Sequence, residues 1–439
     1  MVVAEGQWPR SAETPGSVVR AEGDGDQRMT DQLLHGVITD EAIELMRKRI
    51  GYPNPTLRTG VVSWPWNETA SADSIRQFAH GYGDLNPLYT DRTYGSSTRW
   101  GGMIAPPGYE WTMGLDRSPA VPTDLAAQTR GALRGVHLFN AGHEGWFYRP
   151  IKPGDTLYRS NALAAVQGKQ SQFAGRSVIT TNENTWWDES GQTVAMRRPW
   201  YIHTERRQAG STDKYAGEER ASYTEEERDA IDAAYDAEVI RSGDTLYFEN
   251  VEVGAECPRM VKGPFEITDL INYFMGGGWP GYGFPALRLA RENRRTLRGF
   301  YSLDDFGAWD AIMRIHWQDE TARKIGVPAA YDIGIVRWTW LVHYCTNFAG
   351  DDGWVYRVRG EFRRFNYMGD TTWISAEVAS KRIDPDLGPL VELNLTGVNQ
   401  RGTQNIIGSA TILLPSLRTG PVRLPEPSPA PAHRPDRRG

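Results

Sequence analysis

The feature that most constrains the fold of this chain is an internal duplication. Two blocks repeat the same order of segments: a short helical stretch with a turn, and later a strand that is entered through Arg-x4-Gly-Asp-Thr. The segments are ADSIRQFAHGYGD (72–84) and RPIKPGDTLY (149–158) in the first block, and TDLINYFMGGG (268–278) and RRFNYMGDTTW (363–373) in the second. Ile75 and Ile271 are 196 residues apart, whereas Asp155 and Asp370 are 215 apart. The repeat therefore predicts two similar structural units that differ by insertions.

Hydrophobic patterning predicts that these units combine helices with antiparallel strands. Polar and apolar residues alternate in WVYRVRGEFRRF (354–365) and TTWISAEVASKRI (371–383), as in strands with one buried face. The segment GIVRWTWLVHYCTNF (334–348) is nearly apolar all round and is followed by Gly350, so it predicts a buried helix that the sheet wraps. The predicted fold class is α+β.

Differences in composition divide the chain into five parts. Residues 1–35 predict a flexible N-terminal arm, and residues 416–439, rich in Pro and Arg, predict an extended tail. Thr224 and Glu227 have capping-box spacing within a charged stretch, which predicts a helical linker over residues 207–245. The first unit then covers residues 36–206, and the second covers residues 246–415 with an insertion at about 279–309.

The composition excludes several classes of protein. Lys and Arg number 49 against 55 Asp and Glu, and the resulting net charge of −6 predicts no nucleic-acid partner. No apolar run reaches about 18 residues, and the N-terminus lacks the apolar core of a secretory signal, so we expect no membrane insertion and no export. Because only Cys257 and Cys345 occur, a disulfide scaffold is excluded and a cytoplasmic location is favoured.

The motifs predict neither a cofactor nor a metal. GGGWPG (276–281) matches the Gly-x-Gly-x-x-Gly pattern of dinucleotide-binding proteins, but it follows a helix, and Pro280 stands where the phosphate-binding helix would begin. His137, His143 and Glu144 lack zinc-ligand spacing. The interleaved glycines and aromatic residues around Trp279 instead predict a mobile loop that covers a bound substrate.

Two segments carry a resemblance to a known family. GDLNPLYTDRTYGSSTRWGGMIAPP (83–107) resembles the signature of the MaoC-type, or R-specific, enoyl-CoA hydratases and dehydratases, which is Asp-x-Asn-Pro-Ile-His-x-Asp followed by Ile-Ala-His-Gly. IHWQDETARKIG (315–326) followed by AYDIGI (330–335) resembles the same signature in the second block. The resemblance implies two tandem hot-dog units, each with a long central helix wrapped by a strongly bent antiparallel sheet.

The resemblance also implies a function. The chain is expected to be a hydro-lyase that interconverts an enoyl-CoA and a 3-hydroxyacyl-CoA, with a CoA or acyl-carrier-protein thioester as its substrate. The 16 Trp, 19 Tyr and 13 Phe favour a bulky acyl group, because aromatic residues line apolar clefts. A homodimer is left open. The two alternatives are a hot-dog enzyme repurposed for a polyketide-like or natural-product substrate, and a non-catalytic acyl-binding partner.

The first block keeps only part of the family's catalytic set. In the family, an Asp and a His five residues later act as base and acid, and a backbone N–H at the start of the central helix stabilises the enolate-like oxygen. Asp84 and Asn86 stand at family positions, but Tyr89 replaces the His, and Pro107, which has no N–H, replaces the glycine. The residues implied to bind substrate here are Asn86, Ile104 and Ala105.

The second block keeps the complementary part. His316 stands at the His position and Gly334 at the glycine position, with Tyr331 and Asp332 implied to bind substrate, but Ala311 replaces the Asp. The insertion offers Asp304, Asp305 and Asp310 as substitutes, and Asp310 is preferred because it is nearest in sequence. We therefore expect one competent pocket, in the second unit. The first unit would shape the acyl tunnel or hold a second pocket around Asp84 and Tyr89, and a composite site joining Asp84 to His316 is disfavoured.

Overall fold

A single ten-stranded sheet runs through both repeats. The computed structural model describes residues 36–57, 60, 67–171, 175–205, 219–277 and 285–427. The strands are β1 (Leu115–Asp116), β2 (His137–Phe147), β3 (Tyr158–Ser171), β4 (Gly175–Trp187), β5 (Thr193–Thr204), β6 (Met260–Lys262), β7 (Tyr301–Leu303), β8 (Trp309–Ala311), β9 (Trp354–Phe362), β10 (Thr372–Asp384), β11 (Gly388–Asn399) and β12 (Gln404–Leu413). Their order in the sheet is β1-β3-β4-β5-β2-β9-β12-β11-β10-β6, and β7 and β8 form a separate hairpin.

The strand order is the same in the two halves when it is followed outward from the centre. The series β2-β5-β4-β3 of the first unit corresponds to β9-β12-β11-β10 of the second, and the antiparallel β2–β9 pair joins them. Register shifts interrupt the β2–β5, β3–β4 and β10–β11 pairs, and such bulges bend a sheet. This arrangement confirms the predicted tandem hot-dog architecture.

The shared Arg-x4-Gly-Asp-Thr segment forms the same turn in both units. Gly154 and Gly369 adopt positive φ angles of 100° and 90°. The carboxylate of Asp155 accepts the N–H of Lys152, and that of Asp370 accepts the N–H of Tyr367, each at 3.0 Å. The motif therefore repeats because each unit needs a left-handed glycine and a turn-closing carboxylate before its strand.

Short helices connect these strands. They are α1 (Asp40–Arg47), α2 (Ala72–Gly81), α3 (Pro87–Thr90), α4 (Arg92–Ser97), α5 (Thr123–Thr129), α6 (Glu225–Asp236), α7 (Ile267–Gly277), α8 (Leu287–Thr296), α9 (Asp319–Lys324) and α10 (Gly334–Ala349). Helix α6 begins with the reciprocal capping box of Thr224 and Glu227. None of the helices within the described ranges is long and apolar enough to cross a membrane.

Helix α10, with 16 residues, is the long central helix of the second unit, and it lies across the seam between the units. Trp338 packs against Phe147 of β2, and a side chain on Gly145 of the same strand would collide with the Trp338 ring. On the other side of the seam, Gly360 of β9 leaves room for Leu341. Helix α10 thus contributes to one hydrophobic core that extends beneath both units.

The expectation of a long central helix in the first unit is wrong for the part of that unit that the structure describes. The corresponding stretch forms only the 3-10 helix Tyr109–Thr112. Pro106 and Pro107 cannot donate backbone hydrogen bonds, and Gly108 has a left-handed φ of 102°, so the chain turns where a helix would begin.

The segments around the two units are described only in part. Residues 1–35 of the predicted arm, residues 206–218 of the linker region, the loop 278–284 with Trp279, and residues 428–439 of the tail lie outside the described residues. Helix α8 and the β7–β8 hairpin occupy the stretch predicted as an insertion. The start of the predicted tail packs on the core, since Val422 is buried and its carbonyl accepts a hydrogen bond from Arg99.

Candidate active site

Asp84 is held in a tight turn that its own segment builds. Gly83, with a φ of 81°, leads the chain out of helix α2. One carboxylate oxygen of Asp84 accepts the N–H of Asn86 at 2.9 Å, and the other accepts the hydroxyl of Tyr82 at 3.1 Å. Asn86 in turn caps helix α3 through the N–H of Leu88. These local bonds fix a carboxylate that is only 1% exposed.

A histidine and a lysine of the second unit approach this carboxylate. His343 lies on α10, and its Nε2 is 3.6 Å from Oδ1 of Asp84. Its other ring nitrogen, Nδ1, is 2.9 Å from Nζ of Lys262, the last residue of β6. The Tyr82 ring packs edge-on against the imidazole. Lys262, His343 and Asp84 therefore form a line of three ionisable groups across the interface between the units.

Burial shifts the pKa of each member of this line. Burial raises the pKa of Asp84 from 3.8 to about 6, although the N–H of Asn86 and the charge of Lys262 act in the opposite direction. Burial, and then the charge of Lys262, hold the pKa of His343 well below its usual range. Burial also lowers the pKa of Lys262, opposed by Glu238 and Asp84. Near neutral pH the carboxylate is thus ionised and the imidazole is neutral.

The contact with Lys262 also sets the tautomer of His343. An ammonium group has only N–H donors, so it pairs with an imidazole nitrogen that accepts. Nδ1 of His343 is then the acceptor, and the ring proton resides on Nε2, the atom that faces Asp84.

A cavity of about 410 Å³ opens beside this line. Its buried wall includes Tyr82, Lys262, His343 and Tyr273, and its mouth includes the exposed residues Leu85 and Asp236. Helix α2 lines one side, and β6, α7 and α10 line the other, so both units contribute. A volume of this size suits a small organic ligand.

Tyr89 and its neighbours lie outside this cavity. The Tyr89 hydroxyl bonds to Thr346 of α10, and burial, with the charges of Asp84 and Asp351, raises its pKa well above the usual range. Tyr89 and Ile104 line a separate void of about 10 Å³, which is the size of one water molecule. The structure thus brings Asp84, Asn86 and Tyr89 close together. The large cavity is lined by residues next to Asp84, but not by Asn86 or Tyr89.

The buried neighbours Ile104 and Ala105 are held by backbone bonds. The N–H of Ile104 donates to the carbonyl of Leu88, and the N–H of Ala105 donates to the carbonyl of Ile151. Asn86 donates from its amide to Asp351 at 3.1 Å, which ties the first signature to the residues that follow α10. These contacts position the signature segment against the second unit.

His316 occupies a different place, in the 3-10 helix Ile312–His316. Its Nδ1 lies 2.8 Å from the carbonyl oxygen of Tyr331, whose ring it meets edge-on, and burial lowers its pKa to about 4. No ion pair among the described residues joins His316 to a carboxylate. Asp310 accepts the N–H of its neighbour Ala311, and Asp332 pairs with the buried Arg337 at 2.7 Å.

Gly334 begins α10 under a side chain from the first unit. A Cβ at this position would lie 2.7 Å from Oδ1 of Asn140, so close packing requires the glycine. Nine residues separate Gly334 from His343, which is about 13 Å along a helix. The backbone N–H of Gly334 therefore does not lie beside the Asp84–His343 pair, although Val336, two residues later, lines the same cavity.

Sequence reasoning missed His343 and Lys262. His343 was treated as part of an apolar helix, and Lys262 belongs to no motif. The available signal was a histidine in the middle of a helix predicted to be buried on all sides, because such a group needs a polar partner.

Comparisons with known proteins agree with the fold. Residues 58–197 match the family model described as FAS1-like, dehydratase domain region. A UPF0336 protein of Parafrankia sp. is 27% identical over 126 residues, which cover 28% of this chain and 76% of that protein. A UPF0336 protein of Streptomyces avermitilis is 26% identical over 124 residues, which cover 28% of this chain and 75% of that protein.

The match between structures extends over both units. A solved structure named MaoC-like dehydratase is 15% identical and covers 84% of this chain and 99% of that chain, with a TM-score of 0.53. The fold is therefore shared across nearly the whole of that protein. Together with the family model, which includes the signature around Asp84, this similarity confirms the resemblance to the hot-dog dehydratases.

Proposed function

Because the chain has the fold of the MaoC-like hot-dog dehydratases, we propose that it is a hydro-lyase that interconverts an α,β-unsaturated acyl thioester and its 3-hydroxyacyl form. The reaction takes place in the cavity between the units. The observation that carries this proposal is the pairing of Asp84, at a signature position, with His343 at 3.6 Å beside that cavity.

Asp84 acts as the general base in the hydration direction. A base works best when its pKa lies near the working pH, and burial raises the pKa of Asp84 to about 6. Two atoms 3.6 Å apart can both hydrogen-bond to one water molecule at normal lengths. A water between Asp84 and His343 would give its proton to Asp84 as its oxygen bonds to the β-carbon.

His343 supplies the proton for the α-carbon. Attack at the β-carbon moves the double-bond electrons toward the thioester carbonyl and creates an enolate. The proton on Nε2 of His343 then passes to the α-carbon, while Lys262 returns a proton to Nδ1. The proton held by Asp84 moves back along the same line to restore the starting state, and dehydration runs these steps in reverse.

The test combines a substrate screen with matched variants. Wild-type protein should hydrate one or more trans-2-enoyl thioesters, measured as loss of the enoyl absorbance. Asp84→Asn and His343→Gln should each reduce kcat at least about a hundredfold, the scale of a general acid or base. His316→Gln, the matched control, should keep most of the activity. A loss in the His316 variant with an active His343 variant would instead favour the pocket that the sequence predicted in the second unit.

A second candidate is a substrate that is not attached to CoA, such as a polyketide-like compound. The acidic residues Asp236, Glu238 and Asp269 line the cavity mouth, and Lys262 is the only lysine among its described lining residues, which include no arginine. The phosphates of CoA would meet repulsion there. The same acyl group offered on N-acetylcysteamine and on CoA separates the candidates, because this second one predicts a higher kcat/KM for the uncharged thioester.

A further inference from the structure

We propose that Lys262 is the donor that stabilises the enolate oxygen, in place of the backbone N–H that the signature glycine would provide. The proposal rests on the proposed function and gives a second role to Lys262, which in that mechanism only returns a proton to Nδ1 of His343. It assigns a role to a buried amine that belongs to no motif of the sequence.

Among the described residues, no N–H at a signature glycine position lies beside His343 to perform this task. In the first unit Pro107 stands at the glycine position and has no N–H. The next N–H, that of Gly108, is already used, because it donates to Oε2 of Glu110 at 2.8 Å. Gly334 keeps the position in the second unit but lies about 13 Å along α10 from His343. A different donor must therefore face the thioester carbonyl.

Lys262 has a hydrogen-bond donor to spare. Its ammonium group carries three N–H donors. One is within 2.9 Å of Nδ1 of His343, and a second contact, at 3.4 Å, goes to the carbonyl oxygen of Tyr82. The third has no acceptor among the contacts of the described residues, and Lys262 lines the cavity while only 6% exposed.

The charge of Lys262 also lacks a direct counter-ion. No carboxylate within the described ranges lies within ion-pair distance of its Nζ, and Asp84 is reached only through the ring of His343. Glu238 and Asp84 act on this charge only across a distance, and a buried cation without a direct ion pair is costly, so the arrival of negative charge in the cavity is favoured. An enolate formed during the reaction supplies this charge, and stabilisation that appears only at that stage accelerates the reaction.

The order of the three groups matches the order of the reacting atoms. Asp84 and Lys262 lie on opposite sides of the imidazole, with contacts of 3.6 Å and 2.9 Å to its two nitrogens. Lys262 and His343 line the cavity, as do Gly83 and Leu85 on either side of Asp84 in the chain. A thioester lying along this wall would place its β-carbon toward Asp84, its α-carbon beside His343 and its carbonyl oxygen toward Lys262. The water proton goes to Asp84, the double-bond electrons go to the carbonyl oxygen, and the imidazole proton goes to the α-carbon. Lys262 forms no covalent bond.

The experiment measures polarisation of the bound substrate separately from turnover. In the Asp84→Asn background, a bound trans-2-enoyl thioester should show a red-shifted absorbance, because the donor pulls electron density toward the carbonyl oxygen. Adding Lys262→Met should abolish that shift while the thioester still binds. In otherwise native protein, Lys262→Met should lower kcat about a hundredfold to a thousandfold with little change in KM. Lys262→Arg should retain part of the shift, and Lys324→Met, at a surface lysine, should change neither quantity.

The outcomes separate this inference from the proposed function. A Lys262→Met protein with native kcat and a persistent red shift would refute both roles of Lys262, the stabilisation of the enolate oxygen and the return of a proton to His343. It would leave the hydro-lyase activity and the roles of Asp84 and His343 intact. A wild-type protein that neither hydrates nor binds any enoyl thioester would remove the proposed function, and this inference with it. Release of free thiol together with an acylated Lys262, detected by mass spectrometry, would show attack of the amine on the thioester and would also overturn the non-covalent role proposed here.

Discussion

Replacement of Asp84 by asparagine should make the protein more stable while it removes the base. The pKa of Asp84 is raised from 3.8 to about 6 by burial. One pKa unit corresponds to about 1.4 kcal/mol, so ionised Asp84 costs the folded state about 3 kcal/mol above pH 6. The asparagine can still accept the N–H of Asn86 but gives up the carboxylate that Tyr82 contacts. We therefore expect a net gain of about 1–3 kcal/mol in the free energy of unfolding at pH 7.5.

The pH dependence of this gain follows from the direction of the shift. The folded pKa lies above the unfolded value, so the cost is absent below about pH 3, where the carboxyl group is protonated in both states. The cost grows between about pH 4 and pH 6, because only the unfolded state releases its proton there, and it is constant at higher pH. The advantage of Asp84→Asn should therefore shrink to about half at pH 5.

Urea unfolding of wild type and Asp84→Asn at pH 7.5 and pH 5, followed by tryptophan fluorescence, measures these differences. Asp310→Asn is the matched control, since the hydrogen bond that this half-buried carboxylate makes within the described ranges is with the adjacent N–H of Ala311. It should change the free energy of unfolding by less than about 0.5 kcal/mol. The reasoning would be refuted by an Asp84→Asn protein that is less stable than wild type at pH 7.5. It would also be refuted if the gain in the free energy of unfolding were the same at pH 7.5 and pH 5.

Two further predictions concern the pH profile and the glycine at the start of α10. Hydration requires ionised Asp84, so kcat should fall as the pH is lowered through about 6, measured from initial rates between pH 5 and 8; a flat profile would contradict the assignment of the base. Gly334→Ala should destabilise the fold by about 1–3 kcal/mol, because its Cβ would lie 2.7 Å from Oδ1 of Asn140. In thermal melts, Asn140→Ala should restore much of that loss, and an additive double variant would contradict the proposed collision.

The tandem architecture could be predicted because its signals are local. The glycine and aspartate of Arg-x4-Gly-Asp-Thr form one turn within a few residues, and Asp155 and Asp370 close it in the same way. The alternation of polar and apolar residues in the strands and the apolar run of α10 are also visible within short segments of the sequence. The absence of a central helix after the first signature also has a local signal, the consecutive Pro106 and Pro107. Only a missing N–H is inferred from these prolines in the sequence.

The candidate site could be predicted only in part. The turn chemistry around Asp84 is local, and the signature identifies it directly. Lys262 and His343 are 178 and 259 residues further along the chain, and only the packing of the two units brings them to Asp84. The pairing of Asp310 with His316 rested on nearness in sequence, and the structure supplies no contact between those side chains among the described hydrogen bonds and ion pairs. It stays a prediction that the His316 variant tests.

Loss of the first central helix explains why the candidate site draws on both units. With one helix in place of two, α10 lies across the β2–β9 seam and carries His343 toward the carboxylate of the other unit. The first unit contributes Asp84 in an intact turn but has neither the histidine nor the glycine N–H of its signature. The second contributes Lys262 and His343 but has no carboxylate in contact with His316 among the described ion pairs. The first unit thus supplies the carboxylate, and the second supplies the histidine and the lysine. The interface between the units brings these three groups together beside one cavity.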